Sequence, residues 1–376
     1  MRPFRPSPDV RRVALPEGGA VLLHRHGQAL VVLNASAHYL WRILARGESA
    51  CLPAALVSRF GLSPERARQD STAVVEGWIA QGLVSDAAGN FRHTAISSAH
   101  DATGIRGEVE TRRFRLAGLT IEVAAPGWIA QRLSSLGTPV DDPRSAANLV
   151  CAFDMPPGGP GDLIVNGERR LGSEPAEILI GAFHEILIRR LRPGVEWQAM
   201  IHAGAVARHG RAAILAAPSG SGKSTLIAYL ATQGFDYLSD DLVPLRADDH
   251  SIAPFPMPIS IKAGSVAALA PYRALDTACA SGEQFLFQDV AFDGPCLPAS
   301  ALVFPRYSAE EPARCAEVSV EGALVRLLSD RIHFGATIRP EALAGFVGWL
   351  RGIRIRELVY SDFGEARRWM TDLLTA

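Results

Sequence analysis

Lysine is almost absent from this chain. Of 38 basic residues only two are lysine, Lys223 and Lys262. The bias toward arginine needs no mechanism of its own, but a lysine kept against it marks a place where a compact ammonium is wanted and a guanidinium fork does not fit. Cysteine is scarce as well. Cys51, Cys151, Cys279, Cys296 and Cys315 are odd in number and scattered, which excludes a disulfide framework and a zinc site and leaves small buried thiols. No apolar run approaches the roughly 18 residues of a membrane span; the longest are short, such as 29–33 and 212–217. The opening Met1-Arg-Pro-Phe-Arg-Pro6 lacks the apolar stretch of a signal peptide. No internal repeat is present, and 34 Gly and 25 Pro fall without a period, which excludes collagen-like structure. A cytoplasmic, membrane-free protein is expected.

What is present is a chain of 376 residues, 48% of them apolar, enough for two or three compact units. The net charge of −1 is unevenly spread. Residues 1–100 carry 11 Arg against 7 acidic residues, and the remainder 27 basic against 32 acidic. The basic surplus of the first part suits an anionic partner or an ordinary solvated surface equally well.

Three short strands are predicted at 13–15, 20–24 and 29–33, separated by the turn-rich Pro16-Glu-Gly-Gly19 and Arg25-His-Gly-Gln28. Ala37, Leu40, Trp41 and Leu44 then recur at helical spacing behind the cap candidates Asn34 and Ser36. A second helix is expected over 53–60, ending at Gly61. Ser63-Pro64-Glu65 opens a third that runs through Val74, Val75, Trp78 and Ile79 and stops at Gly82. Residues 91–109 are polar and aperiodic and read as a linker. A hairpin turning at Ala117-Gly118, a Pro- and Gly-rich loop over 141–161, and a helix over 176–191 follow. The buried side of that helix is expected at Ile178, Leu179, Phe183, Ile186, Leu187 and Leu191.

The chemistry concentrates farther on. The apolar strand Ala212-Ala-Ile-Leu-Ala-Ala217 leads into Pro218-Ser-Gly-Ser-Gly-Lys-Ser-Thr225 and then into the helical Leu226-Ile-Ala-Tyr-Leu230. Strand, Gly-rich turn and helix is the context of a P-loop, in which backbone N–H groups and a helix N-terminus cradle phosphate. Lys223 would reach the terminal phosphates and the Ser224 hydroxyl would ligate Mg²⁺. The position of the first glycine of G-x-x-x-x-G-K-[ST] is Ala217; Gly220 and Gly222 supply flexibility nearer the phosphates. An ABC-type Leu-Ser-Gly-Gly-Gln signature is missing, and the Asn-Lys-x-Asp of a Ras-like GTPase cannot be formed with two lysines at 223 and 262. A predicted strand over 235–239 ends instead in Asp240-Asp241, close after Lys223, while His202 precedes a hairpin leading into the loop's strand.

The assembled pattern, His202-Ala, Pro218–Thr225 and Gly234-Phe-Asp-Tyr-Leu-Ser-Asp-Asp241, resembles the HPr kinase family, including the HPr-kinase-related proteins of peptide-modifying gene clusters. Its compact block covers 201–241, with looser similarity from about 112 onward. The resemblance implies phosphorylation of a serine hydroxyl, with ATP and Mg²⁺, by a P-loop kinase core. It implies Asp240 as the base, assisted by His202 and Lys223, and Asp241 with Ser224 at the metal; the order of the two aspartates stays open. Ser219, Gly220, Ser221, Gly222, Lys223, Ser224 and Thr225 would hold the nucleotide, joined by Lys262 on a short strand after Pro254-Phe-Pro-Met-Pro258 and by Arg306 at a strand end. The longer substrate-clamping signature of true HPr kinases is not recognisable after Lys262, so HPr itself is not implied as acceptor. In the first part of the chain, Leu33-Asn-Ala-Ser-Ala-His-Tyr-Leu-Trp-Arg-Ile-Leu44 and Asp70 through Val84 resemble the opening and closing helices of the PqqD family, whose members bind leader segments of ribosomally made peptides.

The expected fold is therefore an α/β P-loop kinase core of HPr kinase type over 112–376, preceded by a linker at 93–111 and by a small α+β winged-helix, PqqD-like domain over 1–92. The expected function is ATP-dependent phosphorylation of a serine in a peptide or small protein, with the leader held by the N-terminal domain; a homo-oligomer is compatible with it. Two other readings stay open: a kinase of an HPr-like carrier protein in a regulatory or polysaccharide-secretion system, and a non-catalytic, ATP-gated DNA-binding regulator. Glu65, Asp70 and Glu76 beside Arg66 and Arg68 on the third helix weigh against nucleic acid.

Overall fold

A computed structural model of the chain describes residues 4–24, 30–86, 109–134, 136–140, 142, 146–156, 159–273, 283–286, 292–328, 332–333 and 339–375. Most of the expected linker, with the turn at 25–28 and Cys279, lies outside the described residues; its last residues, 109–111, already belong to a strand. The chain divides into two compact units, residues 1–98 with 317–355, and 99–316 with 356–376.

The first unit is built on a meander of the strands Val10–Ala14, Ala20–His24 and Leu30–Leu33, all antiparallel. Helices α1 (Ala35–Ala45), α2 (Leu52–Phe60) and α3 (Pro64–Ala80) follow. Local chemistry fixes their ends. The Asn34 side chain accepts from the Ala37 N–H, the Ser63 hydroxyl accepts from the Arg66 N–H, and Gly61 closes α2 at φ 67°. The core joins Leu22, Leu33, Leu40, Leu44, Leu56 and Val75, with Trp41 and Trp78 edge to face at 5.1 Å.

Every residue of Ala20–His24 is buried, so both faces of this strand are covered. The helices α8 (Val320–Leu328) and α9 (Pro340–Gly352) provide the second cover: α8 packs on Leu30–Leu33 and α9 on Val10–Ala14. The Val320 N–H donates to Glu17 Oε1 at 2.8 Å. This grouping differs from the expected run of one domain from 112 to 376. The apolar faces of α8 and α9 belong to the first unit, and the second unit is interrupted by them.

The second unit has two layers. One is a six-stranded sheet in the order Glu168–Glu174, Gly161–Val165, Leu149–Asp154, Leu119–Pro126, Val109–Leu116, Thr138–Pro139. It carries α4 (Gly127–Ser134) and α5 (Ala176–Leu191). Its central hairpin turns at Ala117-Gly118, both at positive φ. The expected loop over 141–161 contains a strand, because Leu149, Cys151 and Phe153 alternate into the core while the residues between them face outward. The buried side of α5 is also turned from expectation: Leu179, Ile180, Phe183, His184, Leu187 and Ile188 are buried, and Ile178 is 43% exposed.

The other layer is a sheet with the neighbour order Asp236–Ser239, Gly204–Arg208, Arg211–Leu215, Leu297–Tyr307, Ser251–Ile252, Val243–Arg246, Trp197–Ile201, with Arg354–Tyr360 also pairing Leu297–Tyr307. Helices α6 (Lys223–Thr232), α7 (Ala263–Leu269) and α10 (Phe363–Thr375) complete it. Leu226, Ile227 and Leu230 of α6 and Met370 and Leu374 of α10 share a core with Val206, Leu215 and Val303 of the sheet. Among the described residues no helix is long and apolar enough to cross a membrane.

Candidate functional site

Strand direction gathers the site. Gly204–Arg208 is antiparallel to Arg211–Leu215 and to Asp236–Ser239, whereas Leu297–Tyr307 is parallel to Arg211–Leu215. The start of the first strand and the ends of the other three therefore lie at one edge of the sheet. His202 precedes the first, Pro218–Thr225 follows the second, Asp240-Asp241 follows the third, and Arg306 closes the fourth. Residues up to about a hundred positions apart in sequence meet because the register requires it.

The 216–222 loop turns into α6 through Gly220 at φ 85° and Gly222 at φ 90°. A Cβ on Gly220 would meet nothing within 4 Å among the described residues, while one on Gly222 would sit 2.7 Å from Tyr360 Oη and 3.1 Å from Tyr307 Cβ. Gly222 is the N-cap of α6 and offers no side chain to the first-turn N–H groups, which stay available to an anion. Ala217 has no positive φ, so the backbone asks for no glycine there. The loop is tied to its neighbours by the Tyr307 N–H to Ser221 O at 2.9 Å and by Tyr360 Oη to Gly222 O at 3.1 Å.

Lys223 and Asp240 form a buried ion pair, their side chains 9% and 1% exposed, with the ammonium donating to Asp240 Oδ1. Burial pushes the Asp240 carboxyl up, and the neighbouring Asp241 acts the same way; Lys223 and the Ser224 hydroxyl offset this only in part. Asp240 Oδ2 is buried without a hydrogen-bond partner among the described residues. Gly204 leaves room for this carboxylate: a Cβ there would stand 3.2 Å from Asp240 Oδ1 and 2.1 Å from Ile227 Cδ1. Asp241 turns away on a left-handed backbone, φ 86°, and meets Arg132 of α4, Nη2 to Oδ2 at 3.2 Å. Burial acts upward on Asp241 as well, but Lys223, His202, Arg132 and His184 together hold its carboxyl below the ordinary value. His202 is exposed and lies in the field of Asp241.

Arg132 and His184 were not singled out by the sequence. His184 is buried on α5 between the rings of Phe183 and Phe255, with Nε2 unpartnered among the described residues. Burial pushes it down to about 4, Asp241 opposing and Arg132 and His202 adding to the effect, so the ring is neutral. A histidine inside an apolar helical stripe was the one available signal; Arg132 is one arginine among many.

Both lysines of the chain meet at the loop. Lys262, at the end of Ile259–Lys262, donates from Nζ to Ser219 Oγ at 2.9 Å. Thr225 Oγ1 donates to Ser265 Oγ of α7 at 2.8 Å. Arg306 lies at the expected strand end, but its guanidinium is engaged by Glu311, Nη2 to Oε2 at 2.6 Å, and Glu311 also binds Arg314, which reaches Glu357.

The donor set fits a phosphate-bearing ligand. Uncapped N–H groups, the ammonium groups of Lys223 and Lys262 and the buried Ser221 Oγ, which has no hydrogen-bond partner among the described residues, lie at one loop. No group of three or more His, Cys, Asp and Glu side chains forms a chelating cluster among the described residues.

These features define a class first: a mixed sheet whose edge carries a Gly-rich strand–helix turn and a buried Lys–Asp pair. The comparisons then speak to the first unit. Residues 19–84 match the family model described as Coenzyme PQQ synthesis protein D (PqqD), so the N-terminal unit carries a PqqD-like domain. No curated protein matches the chain. Among solved structures, the HPr(Ser) kinase/phosphatase from Coxiella burnetii aligns at 9% identity and a TM-score of 0.22, covering 46% of this chain and 92% of that one.

Proposed function

We propose that the protein is an ATP-dependent kinase that phosphorylates a serine hydroxyl of a peptide or small protein. The observation that carries this reading is the buried pairing of Lys223 with Asp240 at the mouth of an anion-cradling loop. Phosphoryl transfer asks for positioning and charge neutralisation more than for covalent chemistry, and a base for the attacking hydroxyl. Magnesium bound with ATP would neutralise charge on the phosphates. Ser219–Thr225 would hold those phosphates, with Lys223 and Lys262 as cations, and Ser224 and Asp241 would face the metal. Asp240 would accept the serine proton as the serine oxygen bonds to the terminal phosphorus and the bond to the ADP oxygen breaks. A carboxyl pushed up by burial is a better base near neutral pH than an exposed one. His202 would orient the aspartates. Arg306, held by Glu311, would join the nucleotide only after exchanging that partner.

The PqqD-like domain favours a peptide substrate. PqqD-like domains bind peptide segments, so this unit would hold a leader and raise the effective concentration of the acceptor serine, making the protein a tailoring kinase of a ribosomally made peptide in the cytoplasm. The test is single-turnover transfer from labelled ATP to a leader-bearing, serine-containing peptide and to the same peptide without its leader. Equal transfer to both would remove the leader-binding part, and transfer to neither would remove the kinase.

A further inference from the structure

We infer that Arg132, far outside the motif block, is the positioning residue for Asp241, and this rests on the kinase reading of the site. Adjacent carboxylates on one turn repel, and they act separately only if something keeps them apart. Here each is hydrogen-bonded by a cation from a different layer, while the charge of Lys223 acts on both. Asp240 is paired by Lys223 of α6, and Asp241 by Arg132 of α4, Nη2 to Oδ2 at 3.2 Å. The left-handed backbone of Asp241, φ 86°, splits the two side chains, and such a conformation persists only where its surroundings enforce it.

The surroundings are present. Leu242, the next residue, is buried in the same core as Ile129, Ala130 and Leu133 of α4. Phe255 packs on His184 of α5 and returns its N–H to Leu238 O at 2.9 Å, on the strand that ends at the aspartates. The six-stranded layer thus fixes the aspartate turn through α4 and α5, and Arg132 is the polar end of that support. Without it, Asp241 would be left in the fields of Lys223 and His202, and the six-stranded layer would lose the hydrogen-bonded cation by which it holds the Asp241 carboxylate apart from Asp240. Arg132 binds Oδ2 of Asp241, and a metal would be met by Oδ1, the arrangement in which outer-shell partners support ligating carboxylates.

The test is a double-mutant cycle in the full chain with R132Q, D241N and both, R132K serving as the conservative control. R132Q should lower kcat by about 10–100-fold with little change in the KM for ATP or in Tm. R132K should recover part of the loss, and R132Q should add nothing once D241N is present. Mn²⁺ binding to the ATP-loaded protein, read by electron paramagnetic resonance without acceptor, should weaken in R132Q and D241N and no further in the double variant. Wild-type kcat in R132Q, losses that multiply in the double variant, or one Mn²⁺ affinity for all four proteins would each overturn the assignment. If the wild type transfers no phosphate while the Mn²⁺ cycle behaves as expected, the kinase reading fails and the role of Arg132 stands.

Discussion

At the scale of single residues the site turns on one buried pair. Asp240→Asn keeps the shape and an oxygen for Lys223 but cannot take a proton. Its kcat should therefore fall by about 10²–10⁴, with ATP affinity nearly unchanged because the loop and Lys223 remain; single-turnover transfer and nucleotide titration separate the two effects. Lys223→Ala acts differently. It leaves Asp240, 1% exposed, without its cation. Breaking a buried pair from one side costs about 3–5 kcal/mol. The sign with pH follows from burial, which raises the Asp240 carboxyl in the folded state. Losing Lys223 raises it further, so the deficit should be largest at pH 8 and shrink toward pH 5 as the carboxyl takes up a proton. Denaturant unfolding at the two pH values checks this, and an equal deficit at both would mean that the Asp240 charge is compensated elsewhere. That Lys223, Asp240, Asp241 and His202 lie near one another was legible because they sit within a short block beside a Gly-rich turn. Arg132 and His184 were not, since tertiary packing alone brings them there.

At the scale of elements, the Gly-rich turn, its strand and its helix were readable from local pattern, as was the hairpin at Ala117-Gly118. The strand order was not, and the convergence of four segments at one sheet edge depends on it. The Leu149–Asp154 strand escaped because neighbouring Pro and Gly masked a short alternation. Within the turn the two glycines are predicted to differ. Ala at position 220 meets no neighbour among the described residues and should cost about 1–2 kcal/mol for its left-handed backbone. Ala at position 222 carries the same strain and also presses on Tyr360, which is 1% exposed and cannot yield. Gly222→Ala should thus be the more destabilising by urea titration, and the larger loss of nucleotide affinity should accompany it. Equal effects of the two would show that Tyr360 does not brace the loop.

At the scale of the whole molecule, sequence alone divides the chain simply, with the first domain complete by residue 92. The PqqD-like match at 19–84 agrees with where that domain lies, but the fold adds 317–355 to its unit. The reason is physical: Ala20–His24 is buried on both faces, and α1–α3 cover only one. α8 and α9 lie far along the chain from the N-terminal strands, and nothing local to 320–352 says which surface their apolar faces meet. Removing residues 1–92 should therefore not leave a clean core. Ala323, Leu324 and Leu327 of α8 and Leu343, Phe346 and Val347 of α9 would lose the strands they pack on. Such a newly bared apolar face is an aggregation liability. A second variant should behave better. The strands Arg314–Glu317 and Arg354–Tyr360 pair, and the Val318 N–H donates to Ile355 O at 3.1 Å, so a short Gly-containing turn can replace 319–354. With both 1–92 and 319–354 removed, the second unit should be monodisperse and bind nucleotide, whereas removal of 1–92 alone should give aggregation and a lowered Tm. Light scattering and thermal melts of the two variants decide; a monodisperse first variant with an unchanged Tm would show that α8 and α9 do not depend on the N-terminal strands.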